Sequence, residues 1–213
     1  FTFGVHKCST AVATVHNGER AEYLLDPSGL VDVVGEYDGT GNIIARYTHG
    51  LGLTSQINAA GSSAYYDFDA IGSTAGVSRL NGTYQNQYSY LPFGQSLASA
   101  ETVSNAFEFV GQFGVMSEGS GLSFMRARFY DSEVGRFTTD DPLRLSGRDA
   151  NFRRYATNDP VNQIDPSGLI TGEEFERLVG RKPNSVLELV GLSAALDRQG
   201  YGYCTSLGTD CTD

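Results

Sequence analysis

The chain reads as mostly β, and three observations predict it. Asx-Gly dipeptides recur at Asn17-Gly18, Asp38-Gly39 and Asn81-Gly82, each between runs of strand-forming residues. Glycine is abundant at 26 residues, Tyr and Phe contribute 12 each, and Trp is absent, which suits many strands joined by glycine turns. A set of residues also recurs: Asp26-Pro27-Ser28-Gly29, Tyr47 and Gly52 return as Asp69-Ala70-Ile71-Gly72, Tyr88 and Gly94, offset by 43, 41 and 42 positions. A period of about 40 marks a stacked or spiralled β array whose units bury their apolar faces only against neighbours.

Taken in order, Val12–His16 and Arg20–Leu25 flank the first Asx-Gly pair, which suits a type I′ turn because both central positions need φ > 0. Val31–Tyr37 with Asn42–Tyr47, and Thr74–Leu80 with Gln85–Tyr90, repeat the hairpin. The small, polar run from Gln95 to Asn105 reads as a surface loop, and Phe107-Glu108-Phe109-Val110 resumes the strand pattern. Leu122 to Tyr130 alternates as one strand, with Leu122, Phe124, Arg126, Arg128 and Tyr130 on one face and Ser123, Met125, Ala127 and Phe129 on the other. Its arginines either stack on aromatic rings or pair with carboxylates.

After Leu169 the character changes. Thr171 with Glu174 and Ser185 with Glu188 form capping-box patterns, and Gly180 and Gly200 are placed to stop helices. Leu187, Val190 and Ala194 give one apolar stripe. Three regions are therefore expected: a hairpin array over 1–94, a second β unit over 95–169, and a helical segment over 170–213.

At 213 residues one domain or part of one is expected, and Phe1 in place of an initiator Met reads as a piece of something longer. A formal charge of −10 argues against nucleic acid as a partner, because phosphate binding needs a basic face. Lysine occurs only at Lys7 and Lys182, against thirteen arginines. No run of 18 apolar residues predicts a membrane span. Cys204 and Cys211 either close a small loop in an oxidising compartment or stay free thiols, and Cys8 has no evident partner. His6, Cys8, His16 and His49 lack metal-ligand spacing, and no phosphate loop, dinucleotide fingerprint or nucleophile elbow is present. No cofactor and no metal are expected.

The stretch from Tyr130 to Leu169 concentrates the chemistry. It holds Asp141-Pro142 and Asp165-Pro166, 24 residues apart, with Arg136 upstream and a Pro-Ser-Gly turn downstream. The ordered series Gly121 to Asp131, Gly135-Arg136-Phe137, Asp141-Pro142, Tyr155-Ala156, Asn158-Asp159-Pro160 and Asp165-Pro166-Ser167-Gly168-Leu169 resembles the Rhs repeat-associated core. That core closes YD-repeat (Rhs) proteins, including the C components of Tc toxins. The match is clear from Tyr88 to Leu169, and weaker YD-repeat likeness reaches back to Tyr23.

The resemblance implies a hairpin wall spiralling into a hollow shell, ending in a core plug. It also implies self-cleavage between Leu169 and Ile170 by an aspartic dyad, Asp141 and Asp165. Arg136 would then steady the developing charge or form a structural ion pair. The partners implied are the protein's own N-terminal shell, its own C-terminal segment, and a cell-surface or secretion-system component, with a secreted or cell-surface location. The alternative is a non-catalytic structural or adhesive shell module. The chain departs from the family pattern at Leu143-Arg144, where the first aspartate's turn usually has glycine, at Ser146-Gly147-Arg148, where a glycine pair is common, and at Asp159, where Asn is usual. Asp-Pro-Ser-Gly-Leu also stands at Asp26 to Leu30 with no partner motif before it, so the pentapeptide alone carries no protease signal.

Overall fold

The computed structural model describes residues 4–5, 11–16, 19–26, 32–118, 121–142 and 151–169. The Asn17-Gly18 turn, the two helices expected over 170–213, Arg144, Ser146, Ile170 and the three cysteines lie outside the described residues. Mostly antiparallel β structure is found, and the described helices are 3₁₀ turns at Gly111–Phe113 and Ala156–Asn158.

Ten strands form one meander in which each pairs antiparallel with its sequence neighbour. They are β1 (Gly4–Val5), β2 (Ala11–His16), β3 (Glu19–Leu25), β4 (Val33–Asp38), β5 (Ile43–His49), β6 (Leu53–Asn58), β7 (Ser63–Phe68), β8 (Thr74–Ser78), β9 (Tyr84–Tyr90) and β10 (Ser96–Ala100). The second sheet has four strands, β11 (Met116–Ser117), β12 (Leu122–Met125), β13 (Arg128–Asp131) and β14 (Arg136–Phe137).

Five hairpins close through the same five-residue turn, over 38–42, 58–62, 69–73, 79–83 and 91–95. In each, the fourth residue's N–H bonds back to the first carbonyl and the first N–H bonds to the fifth carbonyl. The fourth residue is always glycine with positive φ: Gly41, Gly61, Gly72, Gly82 and Gly94. This is a type I turn followed by a glycine bulge, not the two-residue I′ turn that Asp38-Gly39 suggested. In three of the five the first side chain reinforces the turn. Oδ1 of Asp38, Asn58 and Asp69 each accepts two backbone N–H groups of its own turn, while the feature all five share is the glycine three positions after the first residue.

One face of the large sheet is apolar. Tyr23, Tyr47, Tyr66 and Tyr88 sit on the odd strands β3, β5, β7 and β9, each buried, with Val33, Leu53 and Val77 on the even strands between them. The repeat is thus one hairpin, and the offset near 40 residues spans two. The tyrosine hydroxyls are satisfied across the face: Tyr47 donates to Glu36 at 2.6 Å, and the single Tyr66 O–H is shared between Gln56 Oε1 and Asn105 Oδ1, both at 3.0 Å.

The segment after β10 lies across this face. Phe107 is fully buried, edge-on to Tyr47 with centroids 4.9 Å apart. Asn105 accepts from its own Phe107 N–H and donates to Tyr88 and to the Phe107 carbonyl. Asn86 similarly accepts from the N–H groups of Thr102 and Val103. Phe107 to Val110 was expected as a strand and is not one. Its polar groups bond singly to Thr74, Ser73 and Asn105 in place of a ladder.

Two further expectations are corrected. Ser96–Ala100 is a strand, not a loop. Its residues are exposed and pair with β9 through backbone alone, so no apolar alternation marked it. Leu122 to Tyr130 is not one strand but two, β12 and β13, turning at Arg126-Ala127 with Arg126 at φ 53°. The turn puts Ser123 and Met125 on the same buried face as Arg128 and Tyr130. Tertiary contacts hold the strained residue: the Arg126 guanidinium donates to the Phe113 and Pro166 carbonyls.

The two ends of the sheet differ. At one end the turns approach the crossing segment so closely that a Cβ on Gly94 would lie 2.6 Å from the Phe109 ring, and one on Gly72 would lie 2.4 Å from Phe113. At the other, a Cβ on Gly41, Gly61 or Gly82 would meet nothing within 4 Å. Gly82→Ala should therefore cost only the left-handed backbone penalty, about 1–2 kcal/mol. Gly94→Ala adds overpacking of about 1–3 kcal/mol. Urea denaturation of the two variants checks the difference.

Burial holds the Glu36 carboxyl above the ordinary carboxylate range, partly offset by the hydrogen bond from Tyr47. A carboxyl raised in the folded state contributes stability below its unfolded value and loses it as pH rises through the folded one. Glu36→Gln keeps an acceptor for Tyr47. It should flatten the decline in unfolding midpoint measured from the ordinary Glu range up to neutral pH.

Candidate functional site

Arg128 opens β13, and strand alternation turns it inward beside Tyr130. It is 4% exposed. Burial of a guanidinium requires partners for its fixed fork of donors, and here every arm is occupied. Nε donates to the Gly168 carbonyl, and Nη1 donates to the Phe152 carbonyl at 2.9 Å. Nη2 lies 3.1 Å from Oδ2 of Asp141 and 3.4 Å from Oδ2 of Asp165. The Phe137 ring covers its flat face, 3.6 Å from centroid to Cζ.

Both sequence-predicted aspartates are therefore brought to one nitrogen, and their Oδ2 atoms can be no further apart than the sum of those two contacts. Asp141 is tied by its own N–H to the Phe152 carbonyl. Asp165 is 2% exposed, and its Oδ1 accepts from Ser167 Oγ at 2.9 Å and from the Leu169 N–H at 3.0 Å. Gly168 takes φ +68°, and a Cβ there would meet the Met125 carbonyl at 2.6 Å, so only glycine lets this turn seat on the β12–β13 turn. Leu169, the residue before the predicted cut, is 2% exposed.

Arg136 lies elsewhere. It is exposed on β14, opposite Asp131 in register and bridged to Arg154, while its neighbour Phe137 faces the core. The guanidinium at both carboxylates belongs to Arg128. The sequence offered Arg128 as stacked on aromatics or paired with carboxylates, and it does both. What concealed its importance was the turn at Arg126-Ala127, invisible in a run that alternates like one strand.

Tyr155 forms the floor beside Asp165. It is fully buried, with its ring 4.4 Å from Tyr130, and its hydroxyl closes no well-formed hydrogen bond among the described residues. Burial pushes the phenol well up, and the nearby charges of Tyr130 and Asp165 add to this, against a backbone N–H of Asp165 that acts the other way. Among the described residues no cluster of His, Cys, Asp or Glu could hold a metal ion.

No protein-family model matches the chain. Salivary gland surface protein 1 of Aedes aegypti is 37% identical over 135 residues, covering 61% of this chain and 4% of that protein. The tRNA nuclease WapA of Bacillus subtilis (strain 168) is 30% identical over 159 residues, 71% of this chain and 7% of WapA. Probable deoxyribonuclease RhsA of Dickeya dadantii is 28% identical over 120 residues, 54% of this chain and 8% of RhsA. Among solved structures, TcdB2-TccC3 without its hypervariable C-terminal region superposes with a TM-score of 0.54 at 16% identity, over 75% of this chain and 8% of that one. The chain is an Rhs/YD-repeat protein. It spans less than a tenth of the length of each of these proteins. Among the described residues, no helix of this Rhs protein is long and apolar enough to cross a membrane, which says nothing of a β-barrel.

In this Rhs core, Arg128→Met would leave two carboxylates without their shared cation. A loss of about 3–5 kcal/mol is expected from breaking a buried pair. Arg136→Ala, on the exposed strand face, should stay within about 0.5 kcal/mol of wild type. Urea unfolding of both variants at neutral pH makes the comparison.

Proposed function

We propose that this chain is the C-terminal part of an Rhs shell, which encloses the segment after Leu169 and releases it by aspartic self-cleavage of the Leu169–Ile170 bond. In this reading residues 1–94 are shell wall, 95–169 the Rhs core that plugs it, and 170–213 the start of the enclosed segment. The wall continues by coiling further hairpins of the same kind, and the protein is secreted or displayed at the cell surface. Its partners are its own N-terminal shell, its own C-terminal segment, and a secretion-system or cell-surface component.

The observation that carries the reading is the single nitrogen of Arg128 shared by Asp141 and Asp165, with Asp165 also receiving the Leu169 N–H. Cleavage requires the pair to hold one proton between them, which their mutual repulsion favours and the Arg128 cation between them opposes. The ionised one takes a proton from water as the water oxygen bonds to the Leu169 carbonyl carbon, and the protonated one donates to the carbonyl oxygen. Collapse of that intermediate breaks the C–N bond and passes a proton to the Ile170 nitrogen. The products are a Leu169 carboxyl and an Ile170 amine. Arg128, in reach of both acids, offsets the charge in the role the resemblance gave to Arg136. The relatives named as nucleases, and the Tc structure named for a hypervariable C-terminal region, support a carrier whose last segment is exchangeable.

A second reading, a structural or adhesive shell module with degenerate cleavage residues, is favoured by Leu143-Arg144 where the family's turn has glycine. The similarity to a salivary gland surface protein suits it too.

Intact-mass measurement of the purified full-length protein separates the two. The cleavage reading expects a species ending at Leu169 in wild type and its absence in Asp141→Asn and Asp165→Asn. A wild type that stays whole would falsify it and leave the structural module.

A further inference from the structure

We infer that Ser167 is a positioning residue for this cleavage, orienting the Asp165 carboxylate and the Leu169 peptide together; the inference rests on the reading proposed above. Ser167 is 4% exposed, and its Oγ donates to Asp165 Oδ1 at 2.9 Å. The same oxygen lies 3.2 Å from the Leu169 nitrogen, whose N–H is shared between it and Asp165 Oδ1. One hydroxyl thus closes a ring that joins the acid to the residue bearing the reacting carbonyl.

A carboxylate's terminal torsion is broad and roughly two-fold. The Leu169 N–H on Oδ1 and Arg128 on Oδ2 already hold the carboxylate from both oxygens, and the Ser167 hydroxyl adds a second donor on Oδ1 that narrows the torsion further. With Oδ1 so held, Oδ2 is directed to Arg128 Nη2, where it meets Asp141. Ser167 gives up no atom in the reaction, and its proton stays on Oγ throughout.

The backbone of the turn does not depend on this hydroxyl. The Ser167 carbonyl accepts from the Ala127 N–H at 3.0 Å, the Gly168 N–H bonds to the Asp165 carbonyl, and Arg126 holds the Pro166 carbonyl. Removing Oγ therefore changes the aim of Asp165 more than the path of the chain.

The test uses the full-length protein made by cell-free synthesis, with cleavage followed by intact mass in quenched time points. Ser167→Thr keeps the hydroxyl, and Ser167→Val has nearly the same shape without it. Ser167→Val should cleave roughly a hundredfold more slowly than wild type, the scale of a misplaced reacting group. Ser167→Thr should return close to the wild-type rate. In Ser167→Val the acid limb of the pH–rate profile should also move to higher pH, because a donor to the Asp165 carboxylate is gone while Arg128, Asp141 and Tyr155 still face it. Urea midpoints of Asp165→Asn forms of both variants verify that the fold is kept. If wild type is cut and Ser167→Val keeps pace with Ser167→Thr, the inference is overturned while the cleavage reading stands. If wild type is never cut, both fall together.

Discussion

The end of this chain depends on one buried guanidinium. Arg128 neutralises carboxylates from two segments far apart in sequence, holds the carbonyl of the final glycine, and stacks on the Phe137 ring. Without it, Asp165 would be a nearly inaccessible carboxylate beside a second one, a combination that folding rarely tolerates. Its fork geometry also explains why an arginine stands here. Lysine has a single point charge and could not reach Gly168, Phe152 and both aspartates from one position.

The large sheet provides the frame on which that knot is mounted. A ladder of tyrosines, one per hairpin, gives the sheet a face that is apolar in its rings and polar at its hydroxyl tips. Glu36, Gln56, Asn86 and Asn105 meet those tips. The crossing segment of residues 101–115 uses both qualities, placing Phe107 among the rings and Asn105 among the hydroxyls. From there Phe109 and Phe113 lead into the second cluster, where Tyr130 and Tyr155 pack against Phe137, the ring that covers Arg128. The packing is continuous from the large sheet to the site.

Much of this was legible in the sequence, and the failures have physical reasons. Strand pairs with alternating apolar residues and an Asx-Gly signal were found, and the two aspartates that the family resemblance named, Asp141 and Asp165, both reach Arg128. The hairpin of β6 and β7 was missed because Ala59-Ala60-Gly61 lacks an Asx-Gly pair, although Asn58 opens the same turn. β10 was missed because exposed serines and alanines carry no period. The extended reading of Phe107 to Val110 followed from its residue types, yet the bonds that position it come from β8 and from Asn105, which no local pattern encodes. Arg128 was mistaken for one arginine among several because the left-handed turn at Arg126 is held by contacts with Phe113 and Pro166, remote in sequence.

A Cβ on Gly41, Gly61 or Gly82 would meet nothing within 4 Å, whereas one on Gly72 or Gly94 at the opposite end would be pressed against the crossing segment. The sheet therefore has a side on which its connections can lengthen without disturbing the interior. Inserted peptides, affinity handles or fluorophores belong at those three open corners, where they would leave the tyrosine face and the crossing segment untouched.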